Sequence, residues 1–146
     1  MTTPANGTGR ELTLSQVLNE ALLQEMRRDP AVFVMGEDVG ASEGLFGVTR
    51  GLQQEFGAGR VIDAPISEAG FVGAGVGAAL VGARPVIEIQ VMDFLSLAMD
   101  QLANHAAKLR YMTGGLLSVP PVVRGPAATG IGLAAPRPVL VAAGAR

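Results

Sequence analysis

Apolar residues along this chain recur at two spacings, one typical of helices and one typical of buried strands. Thr13 and Gln16 have the spacing of a capped helix start. From there, apolar side chains recur at helical spacing as far as Met26. Short, continuous apolar runs predict strands at residues 32–35, 61–62, 86–91 and 122–123. A long helix with one apolar face is predicted between the last two strands, on Leu95, Ala98, Met99, Leu102, Ala106 and Leu109. This alternation predicts an α/β fold in which helices cover both faces of a parallel sheet.

The helix predicted over residues 68–81 is rich in glycine. Each glycine costs a helix about 1 kcal/mol relative to alanine, so close contact with another backbone or a ligand is expected to offset the loss at Gly70, Gly73, Gly75 and Gly77. Residues 73–78 also fit the G-x-G-x-x-A form of the dinucleotide-binding fingerprint. That fingerprint needs a full strand directly before it and an acidic residue about twenty positions later, whereas Glu88 comes too soon. A glycine-lined packing face is therefore favoured, and an NAD-binding oxidoreductase domain is the weaker alternative.

Composition and charge exclude several classes of protein. The 146 residues, 49% hydrophobic and 16% charged, suit one compact domain. The net charge of −2 comes without a run of either sign, so neither nucleic acid nor a membrane surface is expected as a partner. The chain has no cysteine, which excludes thiolate metal sites, and no other metal-ligand spacing stands out. Residues 1–10 are polar and carry no visible targeting signal, so a flexible tail and a cytoplasmic location are expected.

Polar residues cluster where the predicted strands end, which is where ligands bind in parallel α/β folds. The clusters are Glu37 with Asp38, Asp63 with Glu68, and Gln90 with Asp93. Glu68 is the strongest candidate because it starts an apolar helix in which the next dozen residues carry no charge. A partly buried carboxyl there would have a raised pKa and could share a proton with a ring nitrogen, although it could also simply compensate the helix dipole. Asp38 is expected in a solvated turn, and Phe94 could be plain core.

Four segments together resemble one enzyme family. They are VMGEDV at residues 34–39, DAPISE at 63–68, RPVIEI at 84–89, and the stretch at 99–112 that runs from MDQ to AAKLRYM. In this order and spacing they resemble the β subunit of the thiamine-diphosphate-dependent pyruvate, branched-chain 2-oxo acid and acetoin dehydrogenase complexes. The resemblance runs from about residue 11 to residue 135 and implies the transketolase-like, pyrimidine-binding domain of that subunit.

This resemblance implies a role for each candidate residue. The carboxyl matching Glu68 hydrogen-bonds N1′ of the cofactor's aminopyrimidine ring and promotes the imino tautomer, which deprotonates the thiazolium carbon. The ring matching Phe94 packs on the pyrimidine, the side chain matching Gln90 lines the pocket, and the acid matching Glu37 joins a proton-sharing network between cofactor sites. Magnesium and the diphosphate are held by the α subunit, so no metal ligand is assigned in this chain.

The resemblance also implies an activity and partners. The activity is oxidative decarboxylation with acyl transfer to a lipoyl group, alongside an α subunit, a second β subunit and a lipoyl acyltransferase component. The sequence departs from the family at Pro136-Arg137-Pro138, where members carry Gln-His-Ser-Gln. Residues 136–146 are therefore interpreted as an aberrant tail, such as an out-of-frame reading would produce, and residues 11–135 as an incomplete domain. Such a chain is expected to be inactive alone, and a non-catalytic partner-binding module is the alternative.

Overall fold

Four parallel strands form the sheet of this protein, which the computed structural model describes for residues 10–126. The strands are β1 (Val32–Gly36), β2 (Val61–Asp63), β3 (Arg84–Glu88) and β4 (Val122–Arg124), in the spatial order β2–β1–β3–β4. Val34 pairs with Val61 of β2 and with Val86 of β3, and Val86 pairs with Val122 of β4. The predicted parallel sheet is confirmed.

Helical segments connect the strands and pack on both faces of the sheet. They are α1 (Leu14–Arg28), α2 (Leu52–Phe56), α3 (Glu68–Leu80) and α4 (Ala107–Met112), with 3-10 turns at Leu45–Gly47 and Met92–Ala98 and a π-helical turn at Gln101–Ala106. One apolar cluster joins Leu22 and Met26 of α1 to Val34 of β1. A second cluster joins Phe71 of α3 to Ile87 of β3. Because successive side chains of a strand point to opposite faces, the two clusters fill opposite sides of the sheet, as predicted.

The start of α1 follows the predicted capping box. The Thr13 amide donates to Gln16 Oε1 at 2.8 Å, and the Gln16 amide donates to Thr13 Oγ1 at 3.3 Å. These bonds engage two of the amides that have no partner within the first turn of a helix. The helix ends at Arg28, before Pro30, as the sequence predicted.

The other end of α1 is held by the side chain of Arg60. Its Nη2 donates to the carbonyl oxygens of Met26 at 2.8 Å, Asp29 at 3.0 Å and Val32 at 2.6 Å. The guanidinium carbon also lies 4.9 Å from the centre of the Phe56 ring. One cation therefore caps the carboxyl end of α1 and ties it to β1 and α2.

Replacing Arg60 with methionine is expected to lower the free energy of unfolding by about 2–4 kcal/mol, because part-buried carbonyls lose a charged donor. Urea denaturation measures this loss. Arg50→Met is the matched control, because the Arg50 side chain is 73% exposed and its ion pair with Glu43 contributes about 1 kcal/mol at most. Equal losses in the two variants would contradict the assigned role of Arg60.

The third strand is shorter than predicted. β3 ends at Glu88, so Gln90 lies in a bend beyond the strand. The amide of Ile89 still donates to the carbonyl of Arg124 at 2.8 Å, which keeps the chain beside β4 up to that point. Gln90 therefore stands at the carboxyl edge of the sheet.

The predicted long helix is instead a 3-10 turn, a π-helical turn and α4 in succession. Nδ1 of the His105 ring lies 3.3 Å from the carbonyl oxygen of Asp100 at the start of the π-helical turn. The predicted apolar face is buried at Leu95, Ala98, Leu102 and Ala106. Met99 was wrongly assigned to that face: it is 46% exposed, because the changes of helical pitch turn it outward.

Gly73 and Gly75 lie inside α3, against neighbours that leave little room for a side chain. An ideal Cβ at Gly75 would lie 2.5 Å from Ile87 Cδ1, and one at Gly73 would lie 3.1 Å from Gln101 Oε1. The predicted glycine-lined packing face is confirmed at Gly73 and Gly75, but the close neighbours are side chains and not the expected backbone or ligand. An added Cβ at Gly77 would have no close neighbour. Residues 73–78 form the interior of a helix and not a strand-to-helix turn, which argues against the dinucleotide-binding alternative.

Both predicted tails fall largely outside the described residues. The structure describes neither residues 1–9 nor residues 127–146, so the flexible tail at 1–10 and the aberrant tail at 136–146 stay predictions. The domain limits at residues 11 and 135 stay predictions as well. Within residues 10–126, no helix has the length and apolar character needed to cross a membrane.

Candidate functional site

Acidic residues meet at the carboxyl edge of the sheet. Gly36 ends β1 and pairs with Asp63 of β2 and with Glu88 of β3, so the three strands end level. Glu37 follows Gly36 directly, and Glu68 begins α3 shortly after β2. The prediction that the polar residues after the strands reach one edge is confirmed.

Glu68 is the first residue of α3, and it is only 7% exposed. The amino end of a helix carries partial positive charge, which favours a carboxylate at this position. Among the described residues, no hydrogen bond engages the Glu68 carboxylate. A buried carboxyl whose oxygens are not taken up by the protein can bind a donor on another molecule.

Glu37 is buried to the same degree as Glu68, and its Oε1 has no hydrogen-bond partner within the described part of the chain. Burial raises the pKa of Glu37 above its ordinary value, and the negative charges of Glu68 and Asp38 raise it further. Glu37 and Glu68 are thus both buried at the carboxyl edge of the sheet, and the charge of Glu68 acts on Glu37.

Gln90 links the ends of β3 and β1 through a hydrogen bond to Asp38. Gln90 Nε2 donates to Asp38 Oδ2 at 3.4 Å, a long bond at an exposed position. Asp38 has a positive φ of 55°, which aspartate tolerates in a turn, so its expected place in a solvated turn is confirmed.

Asp63 is occupied by the protein itself. Its carboxylate accepts from the amide of Gly40 at 2.6 Å and from that of Ala41 at 3.3 Å. These bonds fix the loop after β1 to the end of β2. Asp63 therefore has a structural role at the edge where Glu37 and Glu68 lie.

Phe94 stands on a well-anchored 3-10 turn. Its neighbours Met92 and Leu95 are buried in the cluster that also contains Phe71 of α3. Phe94 itself is 46% exposed, so its interpretation as plain core is wrong. The structure thus places Phe94 on an anchored turn, Glu37 and Glu68 as buried carboxyls at the strand ends, and Gln90 in a hydrogen bond with Asp38.

The sequence reasoning missed a buried ion pair beneath this edge. Glu88 is 1% exposed and pairs with Arg124, whose side chain is 13% exposed. Burial raises the pKa of Glu88, while the charge of Arg124 and the Leu45 amide lower it. Burial likewise lowers the pKa of Arg124. The sequence did carry a signal for this ion pair, because Glu88 and Arg124 are charged residues within otherwise apolar strands. The register of β3 with β4 then places the two residues side by side.

The arrangement offers carboxyls, an amide and an aromatic ring at one edge of a rigid sheet. Among residues 10–126, no group of three His, Asp or Glu side chains is placed to hold a metal ion. Buried carboxyls such as those of Glu37 and Glu68 are groups that can exchange a proton with a bound molecule.

Comparison with known proteins identifies the family. Residues 10–142 match the family described as transketolase, pyrimidine binding domain. The mitochondrial pyruvate dehydrogenase E1 component subunit beta-1 of Oryza sativa subsp. japonica is 47% identical over 129 residues, which cover 87% of this chain and 34% of the relative. The pyruvate dehydrogenase E1 component subunit beta of Rhizobium meliloti (strain 1021) is 47% identical over 132 residues, which cover 90% of this chain and 29% of the relative. The chloroplastic pyruvate dehydrogenase E1 component subunit beta-2 of Arabidopsis thaliana is 51% identical over 123 residues, which cover 84% of this chain and 30% of the relative.

The chain thus spans about a third of the length of the curated relatives that it matches. These matches confirm the resemblance that the four sequence segments indicated. The chain belongs to the transketolase pyrimidine-binding domain family.

Proposed function

We propose that this chain forms the aminopyrimidine-binding half of a thiamine diphosphate site in the β subunit of a 2-oxo acid dehydrogenase. One observation carries the proposal: the buried Glu68 starts α3 with no hydrogen bond to its carboxylate among the described residues, close to the buried Glu37. The printed activity of the relatives, pyruvate dehydrogenase, makes pyruvate the first 2-oxo acid to test.

The residues at the strand ends fit an aminopyrimidine ring. Such a ring needs a carboxyl for its N1′ atom, an apolar or aromatic surface for its face, and polar groups at its rim. Glu68 supplies a carboxyl that the described residues leave unengaged, Phe94 a half-exposed ring, and Gln90 an amide at the edge. When bound, thiamine diphosphate supplies the carbanion chemistry of decarboxylation.

In this proposal Glu68 holds a proton between its carboxylate and N1′, and its burial strengthens that interaction. Glu37 stays neutral more readily than an isolated glutamate, because burial and the charge of Glu68 both disfavour its ionised form. Glu37 is thereby suited to pass a proton towards or away from the site. Gln90 lines the rim of the pocket, and Phe94 packs on the face of the pyrimidine ring.

The remaining parts of the proposal concern partners. An α subunit holds magnesium and the diphosphate, a second β subunit completes the assembly, and a lipoyl acyltransferase component receives the acyl group. The whole assembly is proposed to work in the cytoplasm, and the chain by itself is proposed to be inactive. The sequence similarity to pyruvate dehydrogenase E1 β subunits supports the partner subunits in this proposal.

Calorimetric titration with thiamine diphosphate tests the proposal. The chain is mixed with the α subunit of a pyruvate dehydrogenase and magnesium, and the α subunit alone serves as the control. The mixture is expected to bind the cofactor at least about tenfold more tightly than the α subunit alone, because the pyrimidine half of the site is then present. Complex formation on a sizing column without any gain in cofactor affinity would contradict the proposal and favour the non-catalytic partner-binding module.

A further inference from the structure

Gly125 lies directly after β4 and packs against the chain that follows β3. An ideal Cβ at Gly125 would lie 2.3 Å from the carbonyl oxygen of Ile89 and 2.7 Å from Sδ of Met92. Both distances are too short for a side-chain carbon, and the nearer neighbour is backbone, which cannot turn aside as a flexible side chain can. The φ angle of Gly125 lies outside the left-handed region. Glycine is therefore needed at this position for its small size and not for its backbone freedom.

Two backbone hydrogen bonds flank this close contact. The amide of Ile89 donates to the carbonyl of Arg124 at 2.8 Å, and the amide of Met92 donates to the carbonyl of Pro126 at 3.1 Å. The two segments thus stay side by side beyond the ends of β3 and β4, with Gly125 between the two bonds. A side chain at Gly125 would push the segments apart where the following 3-10 turn begins.

The same contact determines where Phe94 stands. The Phe94 side chain is 46% exposed, so burial does not hold it in place. Its turn is held by the buried side chains of Met92 and Leu95, and the Phe94 amide donates to the carbonyl of Val91 at 2.9 Å. Met92, against which Gly125 packs, is therefore part of the anchor that carries Phe94.

We propose that Gly125 is a positioning residue for the cofactor site. Because it has no side chain, the segment after β4 can lie against Ile89 and Met92, and this close approach sets the place of the Phe94 ring. The inference rests on the proposed function, in which Phe94 packs on the pyrimidine. Gly125 acts only through Phe94 and takes no part in proton transfer.

Cofactor titration of Gly125→Ala tests the proposal, with the chain in complex with the α subunit of a pyruvate dehydrogenase and magnesium. The added methyl group displaces the turn, so binding of thiamine diphosphate is expected to weaken by between about twofold and tenfold, the contribution of a stacked aromatic contact. Gly59→Ala is the matched control, because an added Cβ at Gly59 meets nothing within 4 Å. Gly59 also lies before β2, at the opposite edge of the sheet, so this variant is expected to bind the cofactor as the unmodified complex does.

A double-mutant cycle with Phe94→Leu separates positioning from a general loss of structure. If Gly125 acts through Phe94, Gly125→Ala loses most of its effect on cofactor affinity once the aromatic ring is absent. A variant that only destabilises the chain weakens binding by the same factor in both backgrounds. Equal factors in the two backgrounds would therefore contradict the proposal.

Two further results keep the test decisive. If Gly125→Ala does not fold, Met92→Ala probes the same contact from its other side, and its effect on affinity must likewise depend on Phe94. An unmodified complex that binds the cofactor no more tightly than the α subunit alone would overturn the proposed function and this inference with it. Equal affinities of Gly125→Ala and Gly59→Ala would overturn the inference alone.

Discussion

Replacing Glu68 with glutamine is expected to slow hydrogen–deuterium exchange at the reactive thiazolium carbon of thiamine diphosphate by at least about 100-fold. Glutamine keeps the size of the side chain and can still form a hydrogen bond, but it cannot exchange a proton with N1′. The measurement uses the chain in complex with an α subunit and magnesium, with the cofactor signal followed by NMR. Cofactor affinity is measured in the same samples, so that a loss of binding is distinguished from a loss of proton exchange.

Glu55→Gln is the matched control for this variant. Glu55 also lies in the first turn of a helix, but it is paired with Arg27 on the surface, away from the strand ends. The same chemical change is expected to leave exchange at the thiazolium carbon near that of the unmodified complex. Near-normal exchange in Glu68→Gln, with cofactor bound, would remove Glu68 from its proposed role while leaving the family assignment intact.

Replacing Arg124 with methionine is expected to lower the free energy of unfolding at neutral pH by about 3–5 kcal/mol, because it leaves the Glu88 carboxylate buried without its cation. Denaturant unfolding at pH 7 measures the loss. Arg27→Met breaks the exposed pair with Glu55 and is expected to lose about 1 kcal/mol at most. The double variant Glu88→Gln with Arg124→Met removes both charges and is expected to recover part of the loss.

The loss in Arg124→Met should also depend on pH. The pKa of Glu88 in the folded chain is raised by burial from its ordinary value of 4.5, and removing Arg124 takes away a charge that lowers it. The folded state therefore binds more protons at Glu88 than the unfolded state between the two pKa values. The contribution of Glu88 to the stability of this variant is fully present below about pH 4.5 and is lost as the pH rises through the folded pKa. A loss that is independent of pH, or no larger than that of Arg27→Met, would contradict this account of the ion pair.

Local sequence patterns predicted most of the fold and several site residues. The capped start of α1 depends on Thr13 and Gln16, which are three residues apart, and each strand is a short apolar run. The place of Glu68 at the start of an apolar helix is equally local, so its position could be predicted. The edge position of Glu37 and Gln90 followed from the rule that parallel strands end on one side of the sheet. The form of the helix after β3 was not predicted, because the spacing of its apolar residues does not distinguish 3-10 and π-helical turns from a regular α-helix.

Only the tertiary structure decided which charged and polar groups meet. Glu88 and Arg124 are far apart in the sequence, and the register of β3 with β4 brings them together. Arg60 reaches carbonyls at the end of α1, and Asp63 holds the loop at Gly40, again between distant segments. The sequence by itself determined the family, most of the strands and the helices other than the one after β3, because those depend on residue spacing and composition. The burial and pairing of the charges depend on how the segments pack, and the change in pKa of Glu37 and Glu88 exists only once neighbouring elements exclude water from them.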